Sequence, residues 1–130
     1  MLVGEAAGYR GARVSGIAFT SERQLTGSGP AEASATIVHR VLAELGVEDE
    51  VLLWNVVPTH PHEPDRPYTN RRPTRVEVES GARFLEGVAR GRRIVPVGRL
   101  AQEVTGGPYV RHPSHGGAAA FRKGLCRLIA

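Results

Sequence analysis

The sequence predicts an α/β protein in which a small, mostly parallel four-stranded sheet lies in a three-layer sandwich. Two observations predict this class. Short apolar segments alternate along the chain with amphipathic helical segments, and strands that alternate with helices favour parallel pairing through right-handed crossovers. The length of 130 residues is typical of one domain, so we expect a single domain over residues 1–130.

Four apolar segments are expected to form the strands. Leu2–Val3 directly precedes a glycine-rich stretch. Val51–Val57 is a continuous apolar run, and such a run is typical of a strand covered on both faces. Arg93–Val97 contains Pro96, which favours a position at the edge of the sheet. The fourth segment, Tyr109–Arg111, is short and depends on its surroundings.

Helical patterns lie between and after these strands. The apolar spacing predicts a first helix over Pro30–Leu45, and Thr74 with Glu77 forms the capping box of a second helix that runs to about Ala89. A short helix follows Gly98. The last helix is expected from about residue 118 to residue 129. Three large apolar side chains are expected in the core: Leu25, Trp54 and Phe84.

Two long loops remain, and loops of this length in a compact domain are usually functional or disordered. They are Glu5–Gly29, which is rich in glycine, serine and arginine, and Pro58–Pro73, which is rich in proline and arginine. The glycines from Gly4 to Gly11 are spaced like a dinucleotide-binding turn. That turn requires a helix that begins inside the glycine pattern, and no helical period follows, so we expect no dinucleotide site.

Composition narrows the function classes. Lys and Arg number 17 against 13 Asp and Glu, with a pI near 10.0, which favours a polyanionic partner. Cys126 is the single cysteine, which excludes an internal disulfide, a multi-cysteine zinc site and a cysteine-held iron–sulfur cluster. No apolar run approaches the ~20 residues of a membrane span, and no signal peptide is evident. We therefore expect no membrane association and a cytoplasmic location.

Polar and glycine-rich residues follow each predicted strand. Glu5 and its neighbours follow the first strand, Asn55 comes at the end of the second, and Arg99 follows the third. The segment Arg111–Gly117, with two histidines, follows the fourth. Because ligands of open parallel sheets bind beyond the carboxyl ends of the strands, these residues predict a ligand site at that edge.

At these positions the sequence resembles the uracil-DNA glycosylase superfamily. Gly4–Gly8 is similar to the first motif of the family, and Ser15–Thr20 to the segment that supplies an aromatic ring under the base. Leu53–Asn55 resembles the strand that ends in the base-reading asparagine, and Arg111–Ser114 contains the second motif, His-Pro-Ser. The four matches follow the family order and span nearly the whole chain.

The resemblance implies an enzyme that hydrolyses the N-glycosidic bond of uracil, or of a related deaminated base, in DNA, with no metal and no organic cofactor. The base would be flipped out of the stack into a pocket. There Glu5 would handle the water or the sugar charge, Phe19 would stack on the base, Asn55 would read its edge, and His112 would stabilise the departing anion.

The resemblance also assigns residues to binding roles. Besides Phe19 and Asn55, the substrate-binding residues would be Gly4, Ala6 and Gly8. Arg71 and Arg72 belong to a basic cluster with Arg66 and Arg75, and the basic pI favours contact of this cluster with the DNA backbone. The expected backbone contacts of the His-Pro-Ser segment are Arg111, Ser114, His115, Gly116 and Gly117. Among them the Ser114 hydroxyl and the glycine N–H groups are suited to phosphate.

The sequence departs from the family pattern at several positions. Ala7 stands where the family turn has proline, and in the best-known branch an aspartate and a tyrosine stand at the positions of Ala6 and Gly8. In the iron–sulfur branch a second acid falls near Gly11. The water-handling group is thus reduced to Glu5. The loop 115–118 carries no large apolar wedge, and we expect the domain to lack the usual N-terminal helical segment.

Two other functions stay open at this point. A relative that binds nucleic acid but has lost turnover is consistent with Ala6 and Ala7. A nucleotide-binding or small-ligand-binding α/β domain would make the family likeness a coincidence. His60 and His62 resemble metal ligands, but they are separated by proline and have no obvious third ligand, so we expect a solvated loop or a phosphate contact there.

Overall fold

The structure, a computed structural model, describes residues 1–129 and in them contains three parallel strands and six α-helices. The strands are β1 (Leu2–Ala6), β2 (Leu53–Val57) and β3 (Val95–Pro96). The helices are α1 (Ala12–Ser15), α2 (Glu22–Thr26), α3 (Ala33–Glu44), α4 (Arg75–Ala89), α5 (Arg99–Thr105) and α6 (Ala118–Ile129). A 3₁₀ turn, Glu48–Glu50, precedes β2. The predicted α/β class is confirmed.

The sheet has the order β2-β1-β3, and both pairings are parallel. Its register places Gly4 of β1 beside Asn55 of β2. β3, with Pro96, lies at the edge as expected. The predicted fourth strand does not form a ladder: Val110 makes one isolated parallel bridge to Val97, with its N–H donating to the Pro96 carbonyl over 3.1 Å. The chain then leaves the sheet, so three strands replace the predicted four.

Neighbouring residues of the central strand point into different apolar clusters, because side chains alternate between the faces of a strand. Leu2 packs in a cluster with residues of α3 and α6, which includes Leu42 and Phe121. Val3 packs in a second cluster with residues of α4 and α5, which includes Leu85. Apolar helix faces on both sides of β1 support the three-layer arrangement, which stays a prediction.

The longer helices follow the sequence expectations closely. α4 begins with the predicted capping box: the Glu77 N–H donates to Thr74 Oγ1 over 3.2 Å, and the Thr74 N–H donates to Glu77 Oε2 over 2.8 Å. α3 spans the predicted segment with shorter ends, and α6 has the predicted bounds.

Two of the large apolar side chains were placed wrongly in the predicted core. Phe84 is 65% exposed and Leu25 is 53% exposed. Phe84 lies on α4 away from the side that presents Gly81 and Leu85 to the protein interior. Trp54 is half-buried against the second cluster, as part of the core.

The two long loops are ordered. The first contains α1 and α2, so the expectation of a loop without helix was wrong there; both helices are too short to show a period in the sequence. α1 follows Gly11 but has four residues, far from the helix that a dinucleotide fold needs. Within the described residues, no helix has the length and hydropathy that a membrane crossing requires.

Candidate active site

A cavity of about 310 Å³ opens at the carboxyl edge of the sheet, where parallel α/β folds bind their ligands. Its walls come from β1 and the segment after it, β2, the loop that carries Phe19, the start of α3, the loop 58–73 and the His-Pro-Ser segment. Eight of the predicted site residues line it: Glu5, Ala6, Gly8, Phe19, Asn55, Arg71, His112 and Ser114. Phe19, Asn55 and His112 therefore share one hollow.

The Asn55 carboxamide is a buried polar group without a protein partner. Asn55 is 6% exposed, and none of residues 1–129 hydrogen-bonds to its side chain. It lies inside β2 rather than at the end of the strand, directly beside Gly4. Buried polar groups normally find partners, so a carboxamide that lines a cavity in this state is available to a ligand.

Gly4 does not line the cavity but shapes it. A Cβ at Gly4 would collide with the Phe19 ring and would lie 2.7 Å from Asn55 Oδ1. Only glycine therefore allows the aromatic ring and the carboxamide to approach β1 together. The rings of Phe19 and His112 lie 6.4 Å apart between centroids, with a tilt of 33°.

Phe19 has a backbone conformation that side chains rarely adopt, with φ of 53°. The turn around it is held by hydrogen bonds from Ser15, whose Oγ donates to the carbonyls of Ile17 and Thr20 over 3.1 and 2.6 Å. Thr20 Oγ1 also lies 2.9 Å from His39 Nε2 on α3. This network stabilises the strained conformation that orients the ring.

The hydrogen bonds of Ser114 define the tautomer of His112. The Ser114 N–H donates to His112 Nδ1 over 3.1 Å, and Ser114 Oγ lies 2.7 Å from the same nitrogen. Nδ1 is therefore an acceptor, and a neutral ring carries its proton on Nε2. Burial, with smaller contributions from His115 and Arg111, lowers the pKa of His112. His112 thus offers an uncharged Nε2–H donor, which has no partner in the part of the chain described.

The segment after His112 is a tight turn that the protein itself stabilises. The Arg111 guanidinium donates from Nη2 to the His115 carbonyl over 3.2 Å. His115 and Gly116 both have positive φ, at 51° and 75°. A Cβ at Gly117 would collide with the His112 carbonyl, so glycine is required there. None of these four lines the cavity, and their contact with DNA stays a prediction.

Hydrogen bonds connect the first motif, Gly4–Gly8, and the adjacent Tyr9 to the loop 58–73. The Ala7 N–H donates to the Thr59 carbonyl over 3.2 Å, and His60 Nδ1 lies 2.8 Å from the Ala7 carbonyl. The Tyr9 N–H donates to Asn70 Oδ1 over 3.1 Å. These bonds hold Ala6 and Gly8 in the cavity wall although the two segments lie about half the chain apart.

Glu5 is exposed at the cavity and has no hydrogen bond or ion pair within residues 1–129. Partial desolvation raises the pKa of its carboxyl, against the opposing influence of Arg72. A carboxylate with a raised pKa can accept a proton from water near neutral pH.

The predicted basic cluster is largely neutralised by glutamates. Both terminal nitrogens of Arg71 bind Glu77, over 2.9 and 2.7 Å, and these bonds, followed by those of Thr74, lower the pKa of Glu77 to about 2. Arg72 lies 3.7 Å from Glu103 and is mostly exposed. The Arg71 guanidinium is thus engaged by the protein, whereas Arg72 remains accessible; DNA contact by either stays a prediction.

Glu32 is a cavity residue that the sequence analysis missed. It is the N-cap residue of α3, and its carboxylate lines the cavity close to Gly8 and Gly11. Burial raises the pKa of Glu32. No motif marks this position, since Glu32 precedes α3 in a segment outside the four family motifs.

His60 and His62 bind backbone carbonyls rather than a common ligand. His60 Nε2 lies 2.8 Å from the Pro67 carbonyl, and His62 Nδ1 lies 2.8 Å from the Glu63 carbonyl. In residues 1–129 no three side chains of His, Cys, Asp or Glu are grouped as metal ligands.

A parallel α/β sheet with a polar crevice at its carboxyl edge is the arrangement in which proteins of the open-sheet class bind their ligands. The family model described as Uracil DNA glycosylase superfamily matches residues 1–125, and the chain belongs to this superfamily. The chain has no significant match among curated proteins or among solved structures.

Proposed function

We propose that the protein is a DNA base-excision glycosylase that hydrolyses the N-glycosidic bond of uracil, or of a related deaminated base, flipped out of DNA. One observation carries the proposal: the unpartnered carboxamide of Asn55 lies in the same cavity as an aromatic ring and an uncharged imidazole donor. A flipped pyrimidine needs a reader for its edge, a flat surface for its face and a donor for its developing charge.

Each of these groups has a defined task. The Asn55 carboxamide provides a donor and an acceptor in one plane, which suits the ring edge of uracil. Phe19 stacks on the base, and Gly4 leaves room for the ring. When the glycosidic bond breaks, its electron pair leaves with the base, and the Nε2–H of His112 donates to the resulting oxyanion. Glu5, at the cavity mouth, faces the positive charge that develops on the sugar.

The test is a single-stranded or double-stranded oligonucleotide with one uracil, incubated with the protein and then treated with alkali to break abasic sites. We expect strand breaks with the wild type. His112→Ala should lower the cleavage rate about 100-fold or more, the usual cost of losing one oxyanion donor, and leave DNA affinity within a few-fold. His62→Ala, a histidine outside the cavity, serves as the matched control.

Two results would count against the proposal. Binding without strand breaks would support the second candidate, a nucleic-acid-binding relative without turnover, which Ala6 and Ala7 favour because neither can handle water. Equal loss of affinity and cleavage in His112→Ala would mean that His112 does not act on the departing anion. Oligonucleotides with other deaminated bases then define the base preference.

A further inference from the structure

The Glu32 carboxylate does not cap its helix, although Glu32 occupies the N-cap position. Glu32 is the N-cap residue of α3 with extended backbone angles, φ −114° and ψ 129°, yet its side chain makes no capping hydrogen bond. Carboxylates are favoured at helix N-termini because they accept from free N–H groups. This one lines the cavity instead and has no hydrogen bond or ion pair to any residue from 1 to 129.

Two glycines make room for this carboxylate. A Cβ at Gly8 would collide with Glu32 Oε2, and a Cβ at Gly11 would lie 2.6 Å from the same oxygen. Neither glycine has the positive φ that would by itself require glycine. Because Gly8 and Gly11 have no side chains, the Glu32 carboxylate can approach the segment that follows β1.

The charge of Glu32 is not balanced by its surroundings. The other ionisable groups that line the cavity are Glu5 from β1, Arg71 from the loop 58–73 and His112 from the segment before α6. Arg71 is bound by Glu77, Glu5 has the same sign, and His112 is neutral. Partial burial without a counter-charge raises the pKa of the Glu32 carboxyl, and a partly desolvated charge without a partner costs stability. Such a group is usually retained for function.

We propose that Glu32 is the general base of the reaction and supplies the second acid that the first motif lacks; this role rests on the proposed glycosylase function. Glu32 accepts one proton from a water molecule as the water oxygen bonds to C1′ of the deoxyribose. The C1′–N1 bond breaks, and its electron pair leaves with uracil as an anion hydrogen-bonded by His112. The proton on Glu32 then passes to the base or to solvent, which leaves an abasic site, uracil and a regenerated carboxylate. Glu5 is left to stabilise the sugar cation.

The experiment compares Glu32→Gln with Glu22→Gln in the uracil-oligonucleotide assay, at single turnover and across pH. Glu22 is a matched control because its carboxylate also packs against a glycine, Gly29, but outside the cavity. We expect Glu32→Gln to lower the cleavage rate about 100-fold or more with unchanged DNA affinity. It should also reduce the acidic limb, the rise in rate with increasing pH, to the part that ionisation of Glu5 contributes. Glu32→Asp should keep the full limb at a reduced rate, and Glu22→Gln should behave as wild type.

Thermal unfolding separates a catalytic role from a structural one. Loss of an unpaired buried charge should leave the unfolding temperature of Glu32→Gln at neutral pH equal to that of wild type or higher. The inference is overturned if Glu32→Gln cleaves at the wild-type rate, keeps the complete wild-type pH profile or unfolds at lower temperature. If wild type cleaves and Glu32→Gln cleaves equally, only the role of Glu32 fails; if wild type cleaves no deaminated base, the proposed function fails and this role with it.

Discussion

His112 illustrates how a single residue is set up for one protonation state. Two groups of Ser114 point at Nδ1, and burial, reinforced by the neighbouring His115 and Arg111, lowers the pKa of the ring. Both effects keep the ring neutral with its proton on Nε2. The same residue therefore provides a donor that loses no proton at physiological pH.

This arrangement predicts how stability depends on pH. Because the pKa of folded His112 lies below the ordinary value of about 6.5, both states are neutral above that value and the residue has no effect there. As pH falls below it, the unfolded chain binds a proton that the folded chain does not, so stability falls until the folded pKa is passed. When the pH is lowered from about 7.5 to about 5, the free energy of unfolding should fall less in His112→Gln than in wild type. Denaturant unfolding measures this difference. Equal losses in the two proteins would contradict the lowered pKa.

At the scale of single residues, the sequence predicted mainly the cavity residues that motifs mark. Asn55, Phe19 and His112 were found through short motifs and do share one cavity. Glu32 was missed because its place in the site depends on where α3 begins and on the absence of side chains at Gly8 and Gly11. That relation is three-dimensional, and no local pattern reports it.

The element that most directly supports the site is α4, which packs against β2. Gly81 of α4 is buried, and a Cβ there would collide with the Val56 carbonyl, one residue after Asn55. The backbone of α4 therefore lies directly on β2. Gly87, on the same helix, has nothing within 4 Å of the corresponding position.

The two glycines of α4 should respond oppositely to alanine. Gly87→Ala should raise the free energy of unfolding by about 0.5–1 kcal/mol, since alanine is the better helix former and meets no obstacle. Gly81→Ala should lower it by about 1–3 kcal/mol, because the helix must move away from β2, and should also slow uracil release by displacing Asn55. Denaturant unfolding measures both; two stabilised variants would show that α4 does not rest on the strand.

Helices with a sustained apolar period were predictable, whereas α1 and α2, the shortest helices, were not. α3, α4 and α6 each show apolar spacing over at least twelve residues. α1 and α2 have four and five residues, which is too short for any period to show. The periodic pattern also failed to identify the exposed side of α4, on which Phe84 lies.

For the molecule as a whole, the net charge of +4 overstates the positive charge free to bind DNA. Arg71, Arg72 and Arg75 are each paired with a glutamate. Arg72 and Arg75 are both mostly exposed, and Arg72 is the one whose charge lowers the pKa of the Glu5 carboxyl. DNA affinity should therefore depend on a few arginines around the cavity rather than on the total charge.

The salt dependence of DNA binding tests this distribution. Arg72→Ala should lower the slope of log affinity against log salt by about 0.7–0.9, the value for one lost phosphate contact. Arg127→Ala removes the same charge far from the candidate site. Arg127 lies on α6 next to Leu128, which lines a cavity with Met1 at the opposite end of β1. This variant should keep the wild-type slope. The two variants would have the same slope if net charge alone governed binding. Fluorescence anisotropy at several salt concentrations gives the slopes.

The hydrogen bonds between the first motif and the loop 58–73 join distant parts of the chain. Tyr9 and Asn70, which share one of them, are 61 positions apart. No contiguous half of the chain supplies all the residues that line the cavity. The crevice is therefore a property of the whole fold, and neither half of the chain alone would have its complete wall.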